Sequence, residues 1–172
     1  TGVLIWKVAR VSKSLYDNID VENFFNQWHR DIRRFTEDLN VDCALEVIKI
    51  SKISTFNISN YKKVFNLVNS RNCKPILERI LKEENVSNFL NILKERDSFY
   101  PREIDRGYSI KEIFKSVKND DYHPILFLEL NKKYYIIDGR TRFYCCLFLN
   151  TPAKVRIICD KILNENCRKQ IT

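Results

Sequence analysis

Apolar positions recur with two periods along this chain and divide it into an extended start, a helical middle and a dense mixed end. Val3 to Val8 is a short apolar run that reads as a strand or buried extended segment. After it, Asp20 caps a helix in which Val21, Phe24, Phe25, Trp28, Ile32, Phe35 and Leu39 return at i, i+3, i+4, i+7 spacing, with Asn40 as its stop. Arg30, Arg33 and Arg34 fall on the opposite face, and His29 lies at the edge of the apolar stripe. From Val47 or Ile48 to Ser54 apolar and polar residues alternate, which predicts a half-buried strand.

Three short amphipathic helices follow. Ser59 caps one carrying Tyr61, Val64, Phe65 and Val68. Pro75 sits in the first turn of another carrying Ile76, Leu77, Ile80 and Leu81. Ser87 starts a third with Phe89, Leu90 and Leu93 inward. Ser98 to Gly107 breaks the periodicity and reads as a loop, gathering Arg102, Glu103, Asp105 and Arg106 around Pro101. A capping box from Ser109 to Glu112 then opens a helix with Ile110, Ile113, Phe114 and Val117. Beyond it the pattern predicts a strand from Pro124 to Leu130, a turn at Asn131 to Lys133 and a hairpin partner from Tyr134 to Asp138. A helix to Leu149 stops at Asn150, a last strand runs from Lys154 to Cys159, and a polar tail follows. The expected fold class is α/β (α+β): a small mixed sheet with an N-terminal helical extension (1–43), a domain over 44–160 with a helical insertion at about 59–96, and a tail (161–172).

The segment Asp138-Gly139-Arg140-Thr141-Arg142 carries the strongest chemical signal. A strand ends at Asp138, Gly139 permits a sharp corner, and a helix N-terminus with two arginines begins at once. Unpaired backbone N–H groups and the helix dipole favour an anion there, so Gly139, Arg140, Thr141 and Arg142 are candidate phosphate or nucleotide ligands. Asp138 is a candidate catalytic carboxylate, joined by Glu103 and Asp105 from the charged loop. A tight turn with solvated charges is the plainer reading of the same residues.

Composition adds a sign to that picture. The 172 residues carry a formal charge of +8, which favours polyanionic partners. Arg30, Arg33, Arg34, Arg102 and Arg106 are the further candidate nucleic-acid contacts. The six cysteines contain no Cys-x-x-Cys pair, and the two histidines are not spaced as metal ligands, so no metal site is expected. The cysteines read as reduced and mostly buried, which implies a cytoplasmic, intracellular working compartment. No apolar run approaches the ~20 residues of a membrane span, and no signal peptide is visible. The sequence lacks Met, even at position 1, as a processed or excised piece would.

From Asp121 to Ile158 the chain resembles the ParB/sulfiredoxin-like superfamily. The residues that carry the resemblance are Pro124-Ile-Leu-Phe-Leu128, then Tyr134-Tyr-Ile-Ile-Asp-Gly-Arg-Thr-Arg-Phe143, an apolar helix, and Pro152-Ala-Lys-Val-Arg-Ile157. The family's Asp-Gly-x-x-Arg corner falls at Asp138 to Arg142, and the resemblance extends more weakly back to Val47 to Ser54, which looks like the family's first strand. The resemblance implies an α/β domain that binds a nucleotide (ATP or CTP), with Mg²⁺ where cleavage occurs. Members include DNA-partition proteins that hydrolyse CTP, nucleases, sulfiredoxin and free-serine kinases. Arg140 stands where sulfiredoxin needs its cysteine, and Thr141 where the family often has histidine. The expectation is therefore a ParB-like domain acting on or binding nucleic acid, as a nuclease, an NTP hydrolase or a nucleotide-regulated DNA binder, with a toxin or mobile-element effector as one setting. The alternatives are a nucleotide-dependent small-molecule kinase with Glu103 as base, or an inactive module that binds a protein partner through its helical additions.

Overall fold

The computed structural model describes residues 51–71, 73–98 and 110–167, together with Asn40, Cys43, Glu46, Val47 and Ile50. The Val3–Val8 segment, the expected helix over 21–39 with His29, Arg30, Arg33 and Arg34, and the expected loop with Arg102, Glu103, Asp105 and Arg106 lie outside the described residues.

The sequence condenses into a mixed α/β unit. Strand β1 (Ile53–Phe56) is followed by a 3-10 turn (Ile58–Lys63) and helices α1 (Phe65–Val68), α2 (Cys73–Lys82), α3 (Val86–Ser98) and α4 (Ile110–Lys118). Then come β2 (Ile125–Leu130), β3 (Lys133–Asp138), α5 (Arg140–Leu149), β4 (Ala153–Cys159) and α6 (Asp160–Cys167). The four strands form one sheet in the order β1-β4-β2-β3. The central pair β2/β4 is parallel, whereas β1/β4 and β2/β3 are antiparallel. Every residue of β2 except Glu129 is buried, so this strand is covered on both faces, as its nearly unbroken apolar run requires.

The β2–β3 hairpin follows the expected pairing, with Leu130 opposite Lys133. Its two-residue loop, Asn131 and Lys132, has φ of 52° and 64°, the left-handed pair of a type I′ turn. Asn tolerates that geometry, whereas Lys does so at a cost. Lys132→Gly is expected to raise stability by about 0.5–1 kcal/mol. Chemical denaturation would show this as a higher midpoint with unchanged slope, and a lower midpoint would contradict the turn assignment.

Helix α5 is buried all round: Thr141 to Cys146 are six consecutive buried residues, apolar from Phe143 onward. Such a helix must lie inside the molecule, and α5 packs against α2, α4 and β2. The core on this side is aromatic. Phe127 of β2 meets Phe56 and Phe143 at ring-centroid distances of 5.0 and 5.8 Å, while Phe89 stacks on Phe148 at 4.2 Å. The helix ends at Asn150, whose φ of 52° lets its N–H reach the carbonyls of Cys146 and Leu147. Pro152 follows and cannot continue the helix.

Three expectations are corrected. The 47–54 alternation is not a strand throughout: Cys43, Glu46, Val47 and Ile50 are helical, and β1 begins only at Ile53. Alternation over so short an isoleucine-rich run does not by itself separate a strand from a helix. The Ser59–Val68 helix is split. Asn57, not Ser59, caps the 3-10 turn by accepting from Ser59 N at 3.0 Å. Val64 is then extended, at φ −85° and ψ 97°, and bridges to Tyr134. Asn66, just beyond, is buried and clamps the outer edge of β3: Ile136 N donates to its Oδ1, and its Nδ2 donates to Ile136 O, both at 2.9 Å. Finally, the cysteines are not uniformly reduced. Cys43 and Cys167 form a disulfide with a Cα–Cα distance of 5.5 Å, leaving Cys73, Cys145, Cys146 and Cys159 as thiols. The bond ties the helical residues before β1 to α6, which carries the first part of the polar tail and buries Leu163 and Cys167.

Candidate functional site

The corner forms where β3 hands over to α5. Gly139 has φ of +102° and takes the left-handed conformation that turns an extended chain directly into a helix. The first intrahelical bond runs from Phe143 N to Gly139 O at 2.9 Å. The N–H groups of the first turn therefore have no partner within the helix. Asp138, Gly139 and Arg140 are half-buried at the mouth of the corner, whereas Thr141 and Arg142 are 8% and 4% exposed.

The two arginines thus differ in kind. Arg142 turns back into the protein: its Nη2 donates to Asp138 Oδ2 at 3.3 Å, and its Nη1 donates to the carbonyls of His123 and Pro124. The i,i+4 spacing of Asp138 and Arg142 places the carboxylate over the first helical turn. A Cβ at position 139 would lie 2.8 Å from Arg142 Nη2, so glycine is needed there for room as well as for φ. In this arrangement Arg142 braces the corner and Asp138 orients the brace. Burial first, and then the charges of Arg142 and Lys154, hold His123 below its ordinary value. Its neutral form is thereby favoured, and the stability linked to it is present above the unfolded value near 6.5 and is lost as pH falls through the folded one.

Arg140 remains the arginine at the mouth, and the structure adds partners around it that the pattern of the chain did not reveal. Arg96 of α3 is only 7% exposed; its Nη1 donates to Thr141 Oγ1 at 3.0 Å, and its guanidinium carbon lies 5.5 Å from the Tyr144 ring centroid. Burial pushes the thiol of Cys73, the first residue of α2, up, but the charges of Arg140 and Arg96 and the Ser70 hydroxyl outweigh it and hold the thiol below its ordinary value. Arg96 had a legible signal: it continues the Phe89, Leu93 stripe at i+7, where a charge interrupts an apolar face. Cys73 and Tyr144 had none, because a small thiol and an aromatic residue read as ordinary core.

Of the sequence candidates, the structure brings Asp138, Gly139, Arg140, Thr141 and Arg142 together in one corner. Among the described residues no group of three or more His, Cys, Asp or Glu is arranged to hold a metal ion. No helix among them is long and apolar enough to cross a membrane.

No protein-family model matches the chain, and no solved structure matches it. Over 160 residues it is 30% identical to the DNA-directed RNA polymerase subunit beta'' of Anthoceros angustus. The alignment covers 88% of this chain and 10% of that subunit, so the chain spans about a tenth of the relative's length.

Proposed function

We propose that the chain is a phosphate-binding α/β module that associates with nucleic acid, with Arg140 at the mouth of the Gly139 corner as its principal phosphate contact. The observation that carries this reading is the corner itself: a left-handed glycine at φ +102° places Arg140 and a helix N-terminus together at the end of β3. A formal charge of +8 supports a polyanionic ligand. Similarity to a segment of an RNA polymerase subunit agrees with that choice. The order of strand, hairpin, Asp-Gly corner, helix and parallel closing strand also supports placing the chain beside the ParB/sulfiredoxin-like domains, which is the finer part of the proposal. Within it, Thr141 and the first-turn amides line the phosphate cradle, while Arg142 holds the corner's shape. A nucleotide with Mg²⁺ is the corresponding small ligand, and Asp138 is the carboxylate at the corner.

Fluorescence anisotropy with short labelled DNA and RNA, across a salt series, tests the proposal. Binding is expected to weaken steeply with salt. Arg140→Ala is expected to reduce affinity about fivefold or more, the loss of one charge-assisted phosphate contact of about 1 kcal/mol or more. Binding indifferent to salt, or an Arg140→Ala variant that binds as the parent does, would overturn it.

A further inference from the structure

Two pairs of lysines that are distant in the sequence meet at the hairpin end of β3. Lys62 and Lys63 close the 3-10 turn, Lys132 lies in the β2–β3 loop, and Lys133 opens β3. The parallel bridge between Val64 and Tyr134 joins the pairs, because Lys63 and Lys133 immediately precede the two bridge partners. All four lysines are exposed, and among the described residues none of the four forms an ion pair. Of the acids on the neighbouring elements, Glu129 stands half-buried opposite Tyr134. Asp160 is engaged by backbone: it accepts from Asn131 N at 3.3 Å and from Lys161 N at 2.8 Å. Gathering like charges in this way opposes folding, and a polyanion laid across them relieves the repulsion.

Two further observations bear on the same place. Lys132 has φ of 64°, where glycine or asparagine sits at less cost. A strained residue that adds charge to the surface and stays exposed points to a role outside the fold. Beside it, the Lys133 Nζ lies 4.4 Å from the ring centroid of Phe65. Phe65 is half-buried, and Tyr135 packs against it at 5.4 Å with the rings tilted by 47°. A braced aromatic ring among phosphate-binding cations is the combination that takes an unpaired base with its backbone. The edge does not offer backbone pairing to a peptide at Ile136, because the Asn66 amide already takes both the N–H and the carbonyl there.

We propose that the hairpin end of β3 is a docking surface for a single strand of nucleic acid. Lys62, Lys63, Lys132 and Lys133 hold its phosphates, and Phe65 stacks on a base that takes the place of the Lys133 ammonium. This rests on the nucleic-acid part of the function proposed above but uses none of the corner's residues. From Lys133 to Asp138 the strand covers about 17 Å at roughly 3.3 Å per residue, so one bound strand spans several nucleotides between the lysines and Arg140.

The test is fluorescence anisotropy of the full chain with a labelled oligothymidine of about 12 nucleotides and a duplex of the same length, each across a salt series. The single strand is expected to bind more tightly than the duplex. Lys63→Gln combined with Lys132→Gly is expected to weaken single-strand binding about tenfold and to reduce the salt slope by about 1.4. That variant keeps its fold, because the glycine relieves the turn. Phe65→Leu is expected to weaken binding about fivefold or more with the slope unchanged, since the lost contact carries no charge. A duplex bound as tightly as the single strand, an unchanged salt slope in the lysine variant, or parental affinity in Phe65→Leu would each overturn the proposal. Arg140→Ala in the same assay separates the two readings. If it weakens binding and the lysine variant does not, the lysine surface is overturned and the corner stands; the opposite result keeps the surface and removes the corner. No binding by the parent protein overturns both.

Discussion

Replacing Arg142 with alanine is expected to lower the unfolding free energy by about 3–5 kcal/mol, the cost of leaving a buried charge partner and its hydrogen-bond acceptors stranded. The guanidinium is only 4% exposed and serves three acceptors, the Asp138 carboxylate and the carbonyls of His123 and Pro124. Removing it leaves a carboxylate whose side chain is 14% exposed without its cation, and takes the guanidinium donor from two carbonyls. Arg142→Lys should recover only part of the loss, because an ammonium cannot span the same acceptors with a planar fork. Urea unfolding of the parent and both variants checks this. A loss below about 1 kcal/mol, the range of exposed ion pairs, would mean that Arg142 does not brace the corner. The same series separates the two arginines: Arg140→Ala should act mainly on ligand affinity, whereas Arg142→Ala should lower stability and, by loosening the corner, affinity as well.

The second large effect concerns the Cys43–Cys167 bond. It closes a loop between residues 124 apart in sequence, so in the chain-entropy view it restricts the unfolded state strongly. Cys43→Ser with Cys167→Ser is expected to cost about 2–5 kcal/mol, which for a chain of this size lowers the melting temperature by roughly 5–15 °C. The parent protein in reductant should behave as the double variant does, and reductant should leave the variant unchanged. Thiol counting under denaturing, non-reducing conditions should find four free cysteines. Six free thiols, or equal melting with and without reductant, would remove the bond from the stability account.

Legibility followed how local the determining physics was. The β2–β3 hairpin, α5 and β4 could be read because Asn131, Gly139, Asn150 and Pro152 each impose a turn or a stop within one or two residues of themselves. Helix α3 was readable from Phe89, Leu90 and Leu93, although its cap is Asn85, whose Oδ1 accepts from Asn88 N at 3.0 Å, rather than a start at Ser87. What escaped depends on contacts between distant segments. Val64 leaves its helix to bridge Tyr134, Cys43 finds Cys167, and Arg96 reaches Thr141. None of these pairings has a signature in sequence spacing. The corner shows both cases at once. Its position was plain from Asp138 and Gly139, but the division of work between Arg140 and Arg142 depended on which way each side chain turns. That is set by the carbonyls of His123 and Pro124, which nothing near residue 142 announces.

The amide of Asn66 has a consequence for how the chain is made. A bare strand edge is a template for any other extended peptide, and β3 is long and apolar enough to serve as one. Its guard lies 70 residues earlier in the chain. During synthesis from the N-terminus, the guarding side chain therefore exists before the edge it protects has emerged. A circular permutant that opens between α1 and β3 would reverse that order and leave the edge open to other chains during translation, with the same final contacts available.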